Sequence, residues 1–325
     1  MLLVMHFLLI CGVWMWMLAS FGPKAAVNGS GFGSDFAMFW SAAHVQTAGG
    51  NFYDPQVLYR TEHTLLTREG ETVFEPRTLI RVGNPPFFFT ALRPLATLPF
   101  RTAALLWIAA MYALFAIAGF GLMRGLGWRR YSFPLVVFLV TPQVLLGALY
   151  GNAQAVVFAV LVAGLLVAKR YPVAAGALMA LALVKPQVGI PGALLVMLLY
   201  PNWAPRMCSA FVAASGALLV GAGLPALMHW VHSLYGYSSD LATQPNLASL
   251  SGLYAPFLPT TWRTTVSGLA IVLALVATFI TWWRGRKAER MELAALGWLW
   301  FVWFARLERS TRNRMRFASA CRISR

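Results

Sequence analysis

Charge is scarce in this chain. Of its 325 residues only 11% are charged and just ten are acidic. A soluble globular protein carries roughly 25% charged residues, so an ordinary water-exposed surface is excluded. Cysteine is scarcer still. Cys11, Cys208 and Cys321 stand far apart, which excludes a disulfide framework and the paired spacing of a zinc site. What fills the chain instead is oil: 59% of it is hydrophobic, in recurring runs near the ~20 residues that cross a hydrocarbon core. The net charge of +16 does not point to nucleic acid, because much of the excess sits in short clusters between apolar runs, where it sets topology. The composition is that of a polytopic membrane protein.

Candidate spans fall at 1–21, 102–123, 132–150, 153–168, 172–184, 187–200, 208–228, 264–283 and 291–304, the pair flanking "VKPQVGIPG" being open to reading as one interrupted element. The expected fold is therefore an all-α membrane protein of about nine spans. The first run has no positive lead and no clear cleavage site, so it reads as an anchor. Basic loops at Arg124/Arg129/Arg130, Lys169/Arg170, Arg206 and Arg284–Arg290 all fall on one side, the cytoplasmic side under the positive-inside rule. The same count puts 22–101 and 229–263 outside as two long loops, within a single domain over 1–304. The tail "FARLERSTRNRMRFASACRISR" breaks the pattern with seven arginines. Residues 305–325 read as an aberrant basic end, truncated or frameshifted, or as a tail kept inside by a last run that does not cross.

The few acids are unevenly placed. Asp35, Asp54, Glu62, Glu69, Glu71 and Glu75 lie in the first outer loop, and no acid follows until Asp240. Any step that needs a carboxylate base draws on the outer loops. In "GSDFAMFWSAAHVQTAGGNFYDP" (residues 33–55), Phe36, Phe39, Trp40 and Ala43 follow the i, i+3, i+4, i+7 pattern of an amphipathic helix. Such a helix is expected at the membrane interface. Ser34 serves as its N-cap, and Asp35 is either a first-turn helix charge or a base. "GGNFYDP" is a turn, which makes Asp54 a turn residue before a base. "GNPPFFFTALRPLATLP" is a short proline-broken element. In "LYGNAQ", Asn152 and Gln154 either cap helix ends or hold hydroxyls. In "LVKPQ", Lys185 stands beside the helix-breaking Pro186. It either snorkels to the interface or faces a cavity, where an ammonium with three donors suits a phosphate.

The ordered set "SDFAMFWSAAHVQTAGGNFYDP", "NPPFFFTALRPLATLP", "YGNAQ" and "AAGALMALALVKPQ" resembles glycosyltransferase family 87, with "QPNLASLSGL" a weaker likeness downstream. The chain departs from the family where Asn84 precedes the double proline and where Gly-Asn-Ala-Gln stands for Gly-Gln-x-Asn. The resemblance implies a bundle of the C-type glycosyltransferase fold whose long first outer loop carries interfacial helices. It implies a multi-pass enzyme of the bacterial inner membrane, moving a hexose, typically mannose, from a polyprenyl-phosphate donor to a lipid or polysaccharide acceptor on the outer face. On that basis Asp35 is the expected general base and Lys185 the phosphate ligand, with Arg81 and Arg93 as helpers. Asn152 and Gln154 would hold the sugar, and Tyr53 and Asp54 would shape the loop. No Asp-x-Asp pair occurs, so neither metal nor cofactor is expected. Two other classes compete: a transporter or flippase, which also uses broken helices, and an inactive remnant.

Overall fold

The computed structural model describes residues 33–70, 82–125, 132–140 and 142–243. By contact the chain divides into Met1–Tyr237 and Ser238–Arg325, and the contacts described below belong to the first unit. The expected spans at 1–21, 264–283 and 291–304, the "QPNLASLSGL" segment and the basic tail lie outside the described residues. Among those described, the regular structure is helical throughout, without strands.

Helix α1 (Ser34–Thr47) is followed by α2 (Pro55–Arg68) and α3 (Pro86–Ala96). The expectation of an interfacial amphipathic α1 is only half met. Phe36, Phe39, Trp40 and Ala43 are buried as the periodicity requires, but so are Ala37, Ser41, Ala42 and Val45. The helix is enclosed rather than laid on a surface, because α2, α3 and the next long helix all pack on it. Its aromatics interlock with those of its neighbours. Phe39 meets Phe88 edge-on at 5.1 Å between ring centroids, and Phe36 stacks on Trp107 at 5.6 Å. Each such pair adds about 0.5–1.5 kcal/mol beyond area burial.

Local chemistry sets the ends of these helices. The N-cap of α1 is Gly33, at φ 67°, and not Ser34 as the sequence suggests. The orphan N–H groups there are met by backbone instead of a side chain: Gly33 donates to Leu149 O and Asp35 to Tyr150 O, both at 2.8 Å. Asp54 caps α2, its Oδ1 accepting from the N–H groups of Gln56 at 2.8 Å and Val57 at 3.4 Å, with Pro55 at the first helical position where no N–H is missed. Glu69 Oε2 accepts from Phe100 N–H at 2.6 Å, placing a carboxylate at the positive end of the following helix.

That helix, α4 (Phe100–Gly125), is long and apolar enough to cross a membrane, as is α10 (Ala204–Gly221). Between them lie α5 (Ser132–Leu139), α6 (Pro142–Leu149), α7 (Gln154–Val167), α8 (Pro172–Ala180), a 3-10 turn (Leu181–Val184) and α9 (Pro186–Leu199). The expected span 132–150 is two short helices because Pro142 cannot continue the ladder. The expected span 208–228 is also divided, α10 ending at Gly221 and α11 (Leu224–Thr243) starting after Gly223 at φ 97°. Large apolar side chains stay exposed on α4 and α10, among them Leu105, Leu106, Ile117, Val212 and Val220, as suits surfaces that meet lipid.

Candidate active site

The start of α1 and the junction between α6 and α7 form one polar corner. Asn152 Nδ2 donates to Asp35 Oδ2 at 2.5 Å, across 117 residues of sequence. Asn152 is 5% exposed, and its Oδ1 accepts from the N–H of Gln154, the first residue of α7, at 3.1 Å. The amide oxygen thus takes the first N–H of α7, and the nitrogen holds the Asp35 carboxylate, a partner the sequence did not indicate. Gly151 makes the corner possible. It takes φ 72°, and its carbonyl accepts from Trp107 Nε1 at 2.7 Å. Trp107 carries no motif that would have singled it out in the sequence.

A second polar cluster surrounds the helix break. Lys185 is the half-buried residue between the 3-10 turn and α9, at φ −132° and ψ 84°. After Pro186 the chain turns closely back. A Cβ on Gly189 would strike the Ala182 carbonyl oxygen, so only glycine lets α9 pass there. Tyr53 is buried and donates its hydroxyl to Asn84 O at 2.8 Å, and Asn84 Nδ2 donates to Val184 O at 2.8 Å. Burial raises the Tyr53 hydroxyl well above its usual range, so it acts as a neutral donor. The double proline flagged this neighbourhood, but nothing in the sequence announced the reach of Asn84 to Val184.

The expected site residues thus fall into groups. Asp35, Asn152 and the start of α7 at Gln154 come together. Tyr53 is linked through Asn84 to the Val184 carbonyl, one residue before Lys185. Asp54 is committed to capping α2. Arg93 is exposed in the last turn of α3. Arg81 lies outside the described residues. Among those described, no three His, Cys, Asp or Glu side chains converge as metal ligands.

Glu62 is a carboxylate of a different kind. It sits on α2 one turn from buried Leu58 and one turn from buried Leu66, and burial pushes its carboxyl up from 4.5 to about 7. The folded protein then holds this proton more tightly than the unfolded chain. The resulting stability is full below about pH 4.5 and is lost as pH rises through about 7. Glu62→Gln is expected to flatten that slope, leaving thermal unfolding in detergent unchanged at pH 4 and raising its midpoint at pH 8. An unchanged slope would place the carboxyl in water.

Among the described residues the chain is helical, with two helices long and apolar enough to cross a membrane. It belongs to glycosyltransferase family 87, whose family model matches residues 83–321. The match takes in Asn84, Arg93, Asn152, Gln154 and Lys185, while Asp35, Tyr53 and Asp54 lie ahead of it. No curated protein and no solved structure matches the chain.

Proposed function

We propose that this glycosyltransferase moves a hexose, mannose by preference, from a polyprenyl-phosphate donor to a hydroxyl of a lipid or polysaccharide acceptor. The reaction takes place on the outer face of the bacterial inner membrane. The observation that carries this reading is the Asp35–Asn152 bond, which fixes a carboxylate at the head of a buried helix in a chain with no acid between Glu75 and Asp240. Asp35 takes the proton of the acceptor hydroxyl as that oxygen bonds to the anomeric carbon. The bond from that carbon to the phosphate oxygen breaks with its electron pair, leaving polyprenyl phosphate and an inverted glycoside. Lys185 neutralises the charge that gathers on the leaving phosphate, with Arg81 or Arg93 as weaker helpers. Asn152 and Gln154 contribute amide groups for sugar hydroxyls, and Tyr53 and Asp54 hold the loop that follows α1. Metal is not required, since the lysine supplies the positive charge.

The test is transfer of radiolabelled sugar from polyprenyl phosphate in membranes that carry the protein, set against uptake into vesicles. Label that enters vesicles without forming a glycoside would make the chain a transporter. Within this reading Lys185→Met is expected to raise KM for the lipid donor roughly 10- to 100-fold, as loss of a hydrogen bond to a charged group worth about 1.5–3 kcal/mol requires. A lysine that only snorkels to the interface leaves that KM unchanged.

A further inference from the structure

Three consecutive backbone carbonyls ahead of α3 are each taken by a side chain from elsewhere in the sequence. Ser233 Oγ donates to Val82 O at 3.3 Å, Trp230 Nε1 to Gly83 O at 3.0 Å, and the Tyr53 hydroxyl to Asn84 O at 2.8 Å. The prolines at 85 and 86 have no N–H and hold the preceding residues extended. The segment therefore builds no ladder, and its buried carbonyls need side-chain donors.

Asn84 then reaches further. Its amide donates to Val184 O at 2.8 Å, 100 residues away. In an unbroken α-helix Val184 O would receive the N–H of residue 188. Here Val188 N–H goes to Lys185 O at 3.0 Å, and Gly189 N–H goes to the same oxygen at 2.7 Å. The break before Pro186 thus releases the Val184 carbonyl, and Asn84 supplies its replacement donor one residue before Lys185.

We propose that Asn84 is a positioning residue for Lys185: it fixes the backbone from which the phosphate-binding side chain springs, and the carbonyls of its own segment anchor that point to α11 and to the turn after α1. The inference rests on the reading of Lys185 as the ligand of the donor phosphate. An asparagine kept only to fill space calls for volume alone, whereas this role calls for a donor. Asn84→Asp keeps the size but turns a carboxylate oxygen toward a carbonyl, and Asn84→Leu keeps bulk without any donor.

Steady-state transfer from polyprenyl-phosphate mannose is the first measurement. Both variants are expected to raise KM for the lipid donor about tenfold, the effect of leaving one buried acceptor unpaired, while KM for the acceptor stays within twofold. Equal changes in both KM values, or none, overturn the proposal. A second measurement needs no turnover. In a background with Cys11, Cys208 and Cys321 replaced, Lys185→Cys is labelled with a charged maleimide, with and without Asn84→Leu. A severalfold change in labelling rate supports the proposal, and an equal rate overturns it. If the unaltered protein transfers no sugar from polyprenyl phosphate, the functional reading falls, and the labelling alone decides whether Asn84 positions residue 185.

Discussion

Asp35→Asn is expected to lower kcat by roughly 10²–10⁴, the usual worth of a positioned general base, with little change in KM for the donor. The substitution is close to isosteric, and its side-chain oxygen can still accept from Asn152 Nδ2, now 2.5 Å from Asp35 Oδ2. The first turn of α1 also keeps its backbone bonds to Leu149 O and Tyr150 O. Folding should therefore survive, and proton acceptance should not. A purely structural Asp35 leads to the opposite result. A first-turn carboxylate contributes about 0.3–1 kcal/mol to a helix, so its loss would nudge thermal stability and leave transfer intact. Measuring kcat beside the unfolding midpoint separates the two. Full activity in the asparagine variant would send the search to another acid, and the structure already thins that field. Asp54 Oδ1 is engaged in capping α2, and Glu69 Oε2 caps α4. Glu62, whose carboxyl burial pushes up to about 7, becomes the next acid to test, since a base poised near the working pH is the most effective.

The sequence shows the helical class, the turn at Asp54, the break at Lys185 and the approximate limits of α1, α4, α7 and α9, because each rests on a local rule of periodicity, proline or apolar length. It does not show that α1 is enclosed. The four-position stripe of Phe36, Phe39, Trp40 and Ala43 describes one face, whereas alanine and serine on the other faces are small enough to admit close neighbours, a fact of tertiary packing. Asn152 was legible as polar and well placed, yet its bond to Asp35 spans 117 residues and no local pattern encodes that pairing. Asn84 stood out only as a departure beside a double proline. Its purpose depends on a carbonyl freed 100 residues later. The local grammar of the chain identifies the polar side chains, and the long-range bonds determine which of them meet.

Gly151→Ala is the substitution expected to damage this corner most without touching a polar side chain. Two costs combine. The backbone at φ 72° is left-handed, which costs a residue with a Cβ about 1–3 kcal/mol. In addition, the new Cβ would lie 2.5 Å from Phe36 Cβ and 3.2 Å from Phe36 N. Neither is the end of a flexible side chain, so the first turn of α1 must move as a piece. Asp35 belongs to that turn, and a displacement near 1 Å at a reacting group costs about 10²-fold in rate. Gly49 separates the two costs. It has nearly the same backbone, at φ 75°, with nothing within 4 Å of its would-be Cβ. Gly49→Ala should therefore lower the unfolding midpoint through the backbone term alone and leave transfer near its normal rate. Gly151→Ala should lower the midpoint further and reduce transfer about 10²-fold. Equal activity in the two variants would mean that the contact between Gly151 and Phe36 does not set the position of Asp35.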